Sequence, residues 1–248
     1  MKISGIWTAH AVAELRQLLR SPGYLVPTLI FPTMLFSFFS LSAANQFPQA
    51  APRIVASWSV YAVLGVAFYQ FGVGFAQQRE MHWSTYLRTL PTGPAPLLFA
   101  QLSAAVTFAM MATGLLWAFA LMTTPVSIDT GQAVRLATAL ALGAIPFAGF
   151  GIAIGYSVSA RAAVPVANLI YLPLAYAGGL WVPPHRLPDA VQQVSPSLPT
   201  RMFGEVAWAA VDGRAVPLAA AGGLAAYGLV FLAFAAWRYR QEERRRYR

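Results

Sequence analysis

Long apolar runs, each closed by a short polar stretch, dominate the chain. Stretches without charge run from Ser21 to Pro52, Ile54 to Gln78, Thr89 to Ile128, Leu136 to Ala160, Ala162 to Pro184 and Ala215 to Trp237. A helix of about 20 such residues crosses a bilayer. The pattern therefore predicts an all-α membrane protein with six transmembrane helices, at 24–44, 54–76, 96–122, 135–158, 163–182 and 216–237, forming one domain over residues 1–248.

The polar stretches carry patterns of their own. In residues 1–20, Ile3, Ile6, Trp7, Val12, Leu15, Leu18 and Leu19 are interspersed with His10, Glu14, Arg16, Gln17 and Arg20. That mixture predicts an amphipathic helix lying in the membrane interface; an ordinary leader into the first span is the alternative. Residues 78–90 predict a short helix ended by Pro91, because proline lacks an amide donor and disfavours helix in the residue before it. Trp83, Tyr86, Leu87 and Leu90 fall on one stripe of that helix, and Arg79, Glu80, His82 and Arg88 on its other faces. Segment 184–214 is proline-rich, with apolar stretches such as 202–211, and predicts short interfacial or re-entrant helices. Arg201, Glu205, Asp212 and Arg214 make it too charged for a seventh span.

Composition sharpens the membrane reading. The 248 residues are 58% hydrophobic and 10% charged, against about 45–50% and 25% in soluble domains, and the mean hydropathy is +0.56. The net charge of +9 is concentrated: six arginines lie in the tail 238–248. Such a cluster is drawn to anionic lipid, at about 1 kcal/mol per charge, and is not read as a nucleic-acid site. Placing the N-terminus in the cytoplasm puts Lys2, Arg16, Arg20, Arg79, Arg88, Arg161 and the tail inside, and leaves Arg53, Arg135, Arg186, Arg201 and Arg214 outside. The asymmetry favours that orientation, and six spans return the C-terminus to the cytoplasm. Glu14, Arg16 and Arg20 interrupt the place where a cleavable signal would be apolar.

Several chemistries lack their residues. There is no cysteine, and the one lysine is Lys2, so no G-x-x-x-x-G-K-[ST] phosphate loop exists. His10, His82 and His185 are far apart, and no zinc or serine-nucleophile motif occurs. No predicted span carries a carboxylate, which argues against proton relays and intramembrane hydrolysis. The chain is thus expected to bind no cofactor or metal. Polar residues within spans are mild, and Gln101, Asn168 and Tyr171 are candidates to line a substrate path; hydrogen bonding between helices is the alternative. Gly151 and Gly155, spaced by four, permit close helix approach.

In order and spacing, these segments resemble the transmembrane permeases of ABC-2-type ABC transporters. Residues 78–91, QREMHWSTYLRTLP, resemble that family's E-R-E-x-G-T-x-x-x-L-x-x-x-P loop, with Arg79, Glu80, Leu87 and Pro91 on matching positions and His82 and Trp83 in place of Gly and Thr. Asn168 to Pro173, Gly178-Gly179, Pro183-Pro184, Pro188, Pro196 and Pro199 resemble its fifth span and the segment that follows.

The resemblance implies a dimer, with a second copy or a related permease. Each subunit would receive one nucleotide-binding protein, two copies in all, carrying ATP and Mg. Residues 78–90 would be the coupling helix, with Arg79, Glu80, His82, Trp83, Tyr86, Leu87 and Arg88 meeting the ATPase. Interface anchoring is the alternative for Trp83 and Tyr86, and ordinary positive-inside bias for Arg79 and Arg88. The expected function is the permease subunit of an ATP-driven exporter in a bacterial cytoplasmic membrane, multi-pass and not itself an enzyme. Uncharged, aromatic-rich spans suit amphipathic, lipid-like or drug-like cargo. A non-transporting scaffold or sensor, or an ATP-independent secondary transporter, are the alternatives.

Overall fold

The computed structural model describes residues 3–80 and 95–246, and among these every regular element is helical. In chain order they are α1 (Ile3–Leu19), α2 (Pro22–Phe39), α3 (Leu41–Gln46), α4 (Ala51–Glu80), α5 (Ala95–Thr123), α6 (Thr130–Ser157), α7 (Ala160–Ala177), α8 (Asp189–Val194), α9 (Pro199–Val211) and α10 (Leu218–Arg246). Short 3-10 turns lie at Pro184–Arg186 and Ser195–Ser197. Most of the predicted 78–90 helix, with His82, Trp83, Tyr86, Leu87 and Arg88, lies outside the described residues.

Among the described residues, five helices are long and apolar enough to cross a membrane: α2, α4, α5, α6 and α10. The fifth expected span, 163–182, corresponds to α7, which is shorter than predicted. It carries Arg161, Asn168, Pro165 and Pro173 in only 18 residues and is less apolar than the others. It stops at Ala177 because Gly179 takes a left-handed φ of 79° and turns the chain. The first span, expected to reach residue 44, breaks at Ser40, whose φ of −132° leaves the helix while its hydroxyl accepts the Trp58 indole N–H at 2.8 Å. The fourth starts earlier than expected, at Thr130, where Asp129 and Gln132 form a reciprocal capping box. The last runs on as helix into the basic tail.

α4 is the structural centre. Val55, Trp58, Tyr61, Leu64 and Phe68 are all buried on it, and it packs against α2, α5, α6 and α9. Between Ala67 and Gly74 it widens into a π-helical segment. A π segment adds a residue to the turn and shifts the side chains that follow it. The close approach predicted from Gly151 and Gly155 occurs here, within the chain: a Cβ on Gly151 would lie 2.6 Å from the Ala67 carbonyl oxygen, and one on Gly155 2.9 Å from that of Gly72.

α9 is more buried than a helix resting at an interface. Phe203 and Ala207 are fully enclosed where it wedges among α4, α6 and α10. The Trp208 indole N–H donates to the Ser57 hydroxyl at 2.8 Å in that buried setting. Ser57→Ala leaves the donor without an acceptor, which costs about 1–3 kcal/mol. A lowered unfolding temperature in detergent is the expected result, and an unchanged one would show that the bond adds nothing.

Leu142, Leu169 and Leu229 lie on the outside, as do Phe38 and Phe39 at the end of α2. Such surface suits lipid or another protein and not water.

Candidate functional site

Two regions at opposite ends of α4 gather the chemistry. The first surrounds Arg79 and Glu80, the last described residues before the 81–94 segment. Both turn onto the α6–α7 junction. The Arg79 guanidinium donates to the carbonyl oxygens of Tyr156 at 2.9 Å and Val158 at 3.1 Å, the closing carbonyls of α6. The Glu80 carboxylate accepts the Ala160 amide at 2.8 Å, at the start of α7. Cation at a helix C-terminus and anion at a helix N-terminus both complement the backbone dipole. The adjacent Arg-Glu pair therefore caps two consecutive helices at once. From α10, Arg238 reaches the same Tyr156 carbonyl at 3.2 Å.

Beside this junction a chain of amides crosses the bundle. The Gln101 side-chain amide donates to Gln78 Oε1 at 2.6 Å, that of Gln70 donates to the Gln101 carbonyl at 3.3 Å, and Tyr24 donates its hydroxyl to Gln70 Oε1 at 2.6 Å. At the α1 end lies Glu14, 9% exposed and bonded to Gln78. Burial pushes the Glu14 carboxyl above its ordinary value, and the Gln78 bond offsets only part of that. The folded state therefore holds a proton more tightly than the unfolded chain does. Stability is greatest below the unfolded-state value, about 4.3, and falls as pH rises through the window up to the raised folded value. Glu14→Gln is expected to remove this slope, measured as unfolding temperature against pH. A slope that survives the substitution would assign it to another group.

The second region begins inside the bundle and ends at the opposite face. The Tyr69 hydroxyl donates to Asn168 Oδ1 at 2.8 Å. Tyr171 packs on Tyr61 with ring centroids 5.2 Å apart and on Phe68 at 5.7 Å. Tyr61 in turn meets Trp58 and Trp181, which stack on each other at 6.4 Å. This aromatic column joins Asn168 and Tyr171 to a cavity of about 1200 Å³ lined by Trp181, Trp208, Phe47, Arg53, Arg186 and Arg201, among others. Of the three path residues expected from sequence, Asn168 and Tyr171 come together here, while Gln101 belongs to the amide chain near Gln78. No local sequence pattern marks the cavity, because its walls come from segments far apart in the chain.

Around the cavity the segment after α7 is tied down. Ser195 donates to the Ala177 carbonyl at 2.6 Å and Thr200 to that of Leu174 at 2.6 Å. Asp212 takes the Arg53 and Arg214 guanidinium groups at 2.8 Å and 2.6 Å. Burial pushes its carboxyl up, but the bonds from both arginines outweigh that and leave it below the usual carboxylate range. Among the described residues no cluster of His, Asp or Glu has a metal-holding arrangement.

Comparison with known proteins places this architecture. The chain is 24% identical over 237 residues, 94% of its length and 97% of the relative's, to the protein named "Putative transport permease YvfS" of Bacillus subtilis (strain 168). The family model described as ABC-2 type transporter matches residues 7–211, well over half of the chain. The chain belongs to the ABC-2 type transporter family.

Proposed function

We propose that this chain is the permease subunit of an ATP-driven exporter that carries amphipathic, lipid-like or drug-like molecules out of the cytoplasm or the inner leaflet. The observation that carries the reading is the uncharged aromatic column. It runs from Asn168 and Tyr171 past Tyr61 to Trp181 and opens on a cavity of about 1200 Å³. In this conformation Trp58, Tyr61, Phe68 and Tyr171 are buried, so the column is shut. A molecule with an apolar body can slide along such a wall without leaving a charge unpaired, whereas an ion would find no partner there.

ATP and Mg belong to a partner nucleotide-binding protein, two copies to a dimer of this chain or to a pair with a related permease. On this reading the chain has six spans, with α7 as the fifth, and both termini and the 78–90 coupling segment lie on the cytoplasmic side of a bacterial inner membrane, with α1 in the interface and the 184–214 segment outside.

Arg79 and Glu80 give the coupling a physical route. Motion of the segment that follows them pulls on the end of α6 and the start of α7 together, since one residue caps each. α7 carries Asn168 and Tyr171, so displacing its start shifts the wall of the column. Such a device needs two discrete arrangements, one of which the closed ATPase pair favours.

The test is reconstitution of the chain with its ATPase in liposomes containing a fluorescent short-chain phospholipid. ATP-dependent movement of the probe from the ATPase-bearing leaflet or compartment supports the reading. Movement that is indifferent to ATP points to a secondary transporter, and no movement with normal assembly points to a scaffold.

A further inference from the structure

The cavity beside Trp181 has a charge pattern that the apolar column does not need. Four arginines line it, Arg53, Arg186, Arg201 and Arg214, against one lining carboxylate, Glu205. Arg201 is neutralised by Glu205 at 2.6 Å. Arg53 and Arg214 share the single carboxylate of Asp212, which is not itself a lining residue, so this trio keeps one positive charge. Arg186 is exposed and makes no ion pair among the described residues, which adds a second. Both Arg53 and Arg214 remain more than half exposed, at 55% and 57%, with donors left over for a ligand.

The position of Arg186 is built. It ends the 3-10 turn Pro184–Arg186, and the Gln192 side-chain amide donates to the carbonyls on either side of it, His185 at 3.3 Å and Leu187 at 2.7 Å. Gly179 lets Pro184 approach: a Cβ there would sit 2.8 Å from the Pro184 ring. Aromatic side chains line the cavity as well, among them Phe39, Phe47 and Trp181. The Trp181 indole N–H is buried and has no acceptor.

We propose that this cavity binds a phosphate-bearing amphiphile of net negative charge, its headgroup held by Arg186 with Arg53 and Arg214, its apolar chain along Phe39, Phe47 and Trp181. The planar guanidinium fork matches the oxygens of a phosphate in pairs. A cavity lined by both guanidinium groups and aromatic rings fits a molecule with one anionic end and an apolar body. Free phosphate would use only the guanidinium groups. The ligand is either a membrane phospholipid or the transported molecule; for the second source the inference rests on the permease reading.

Binding is measured on the full-length chain alone, in neutral detergent, by native mass spectrometry, with lysophosphatidylglycerol, farnesyl phosphate and lysophosphatidylcholine as probes. No ATPase is present, so a failure here leaves the permease reading standing. Both anionic probes are expected to bind at least fivefold more tightly than lysophosphatidylcholine. Arg186→Gln should weaken them about fivefold, the effect of one charge near an anionic headgroup, with the unfolding temperature unchanged because Arg186 is exposed. A lead for lysophosphatidylglycerol identifies a phospholipid site, and a lead for farnesyl phosphate a site for phosphorylated cargo. Equal binding of all three probes, or anionic binding indifferent to Arg186→Gln, overturns the proposal. Should the variant not fold, the selectivity of the native chain decides alone.

Discussion

Gly151→Val is expected to abolish recovery of folded protein from the membrane. The glycine faces the π-helical part of α4, where a Cβ would stand 2.6 Å from the Ala67 carbonyl oxygen and 2.9 Å from the Phe71 Cβ. Neither neighbour is the free end of a flexible side chain. α6 cannot retreat locally, since a Cβ on Gly155, one turn further on, would also stand only 2.9 Å and 3.0 Å from the carbonyl oxygens of Gly72 and Phe71. Overpacking commonly costs about 1–3 kcal/mol, and two backbones in contact put this case at about 3 kcal/mol or above. Size-exclusion of the fluorescently tagged protein in mild detergent reads the outcome as loss of the monodisperse peak. Gly114→Val in α5, where nothing lies within 4 Å of the added Cβ, is the control and should leave the peak intact. A normal peak for Gly151→Val would mean that α4 and α6 are not packed in this way.

The second large effect falls on Glu80. Glu80→Lys removes the acceptor for the Ala160 amide and sets a positive charge at the positive end of α7. Losing a cap costs about 1 kcal/mol, and reversing the charge adds about 0.5–1 kcal/mol. If that energy enters the equilibrium between the two transport arrangements, ATP-dependent transport falls at least tenfold, since 1.4 kcal/mol is a factor of ten. Membrane abundance should be little changed, because the site lies at the exposed end of a helix. Glu80→Gln keeps an acceptor and should retain most of the transport. Full activity in Glu80→Lys would separate the α6–α7 junction from coupling.

The helices at 96–122 and 216–237 were legible within a few residues because uninterrupted apolar runs have one reading. Their ends were less so. Ser40 ends α2 through a hydrogen bond to Trp58, 18 residues away, and no local signal announces it. The start of α6 could have been found, as Asp129 followed three residues later by Gln132 is a cap pattern. Asn168 and Tyr171 stand out in the sequence as polar groups in an apolar span, and the structure sets both at the aromatic column. The linkage of Gln70, Gln78 and Gln101 was hidden, since the π segment shifts the register of α4. Nor could pattern alone show Arg79 and Glu80 turned onto residues some 80 positions away. The other expected coupling residues, His82, Trp83, Tyr86, Leu87 and Arg88, lie outside the described residues.

The proposed function has this chain work with a separate ATPase, in keeping with a sequence whose one lysine, Lys2, lies in no phosphate-loop motif. The most direct measurement is purification of the tagged chain from its native membrane after mild crosslinking, with mass spectrometry of what accompanies it. A soluble protein bearing a G-x-x-x-x-G-K-[ST] loop, recovered in equal amount, is the predicted result. Recovery of the chain without such a partner, with or without crosslinking, would contradict the account.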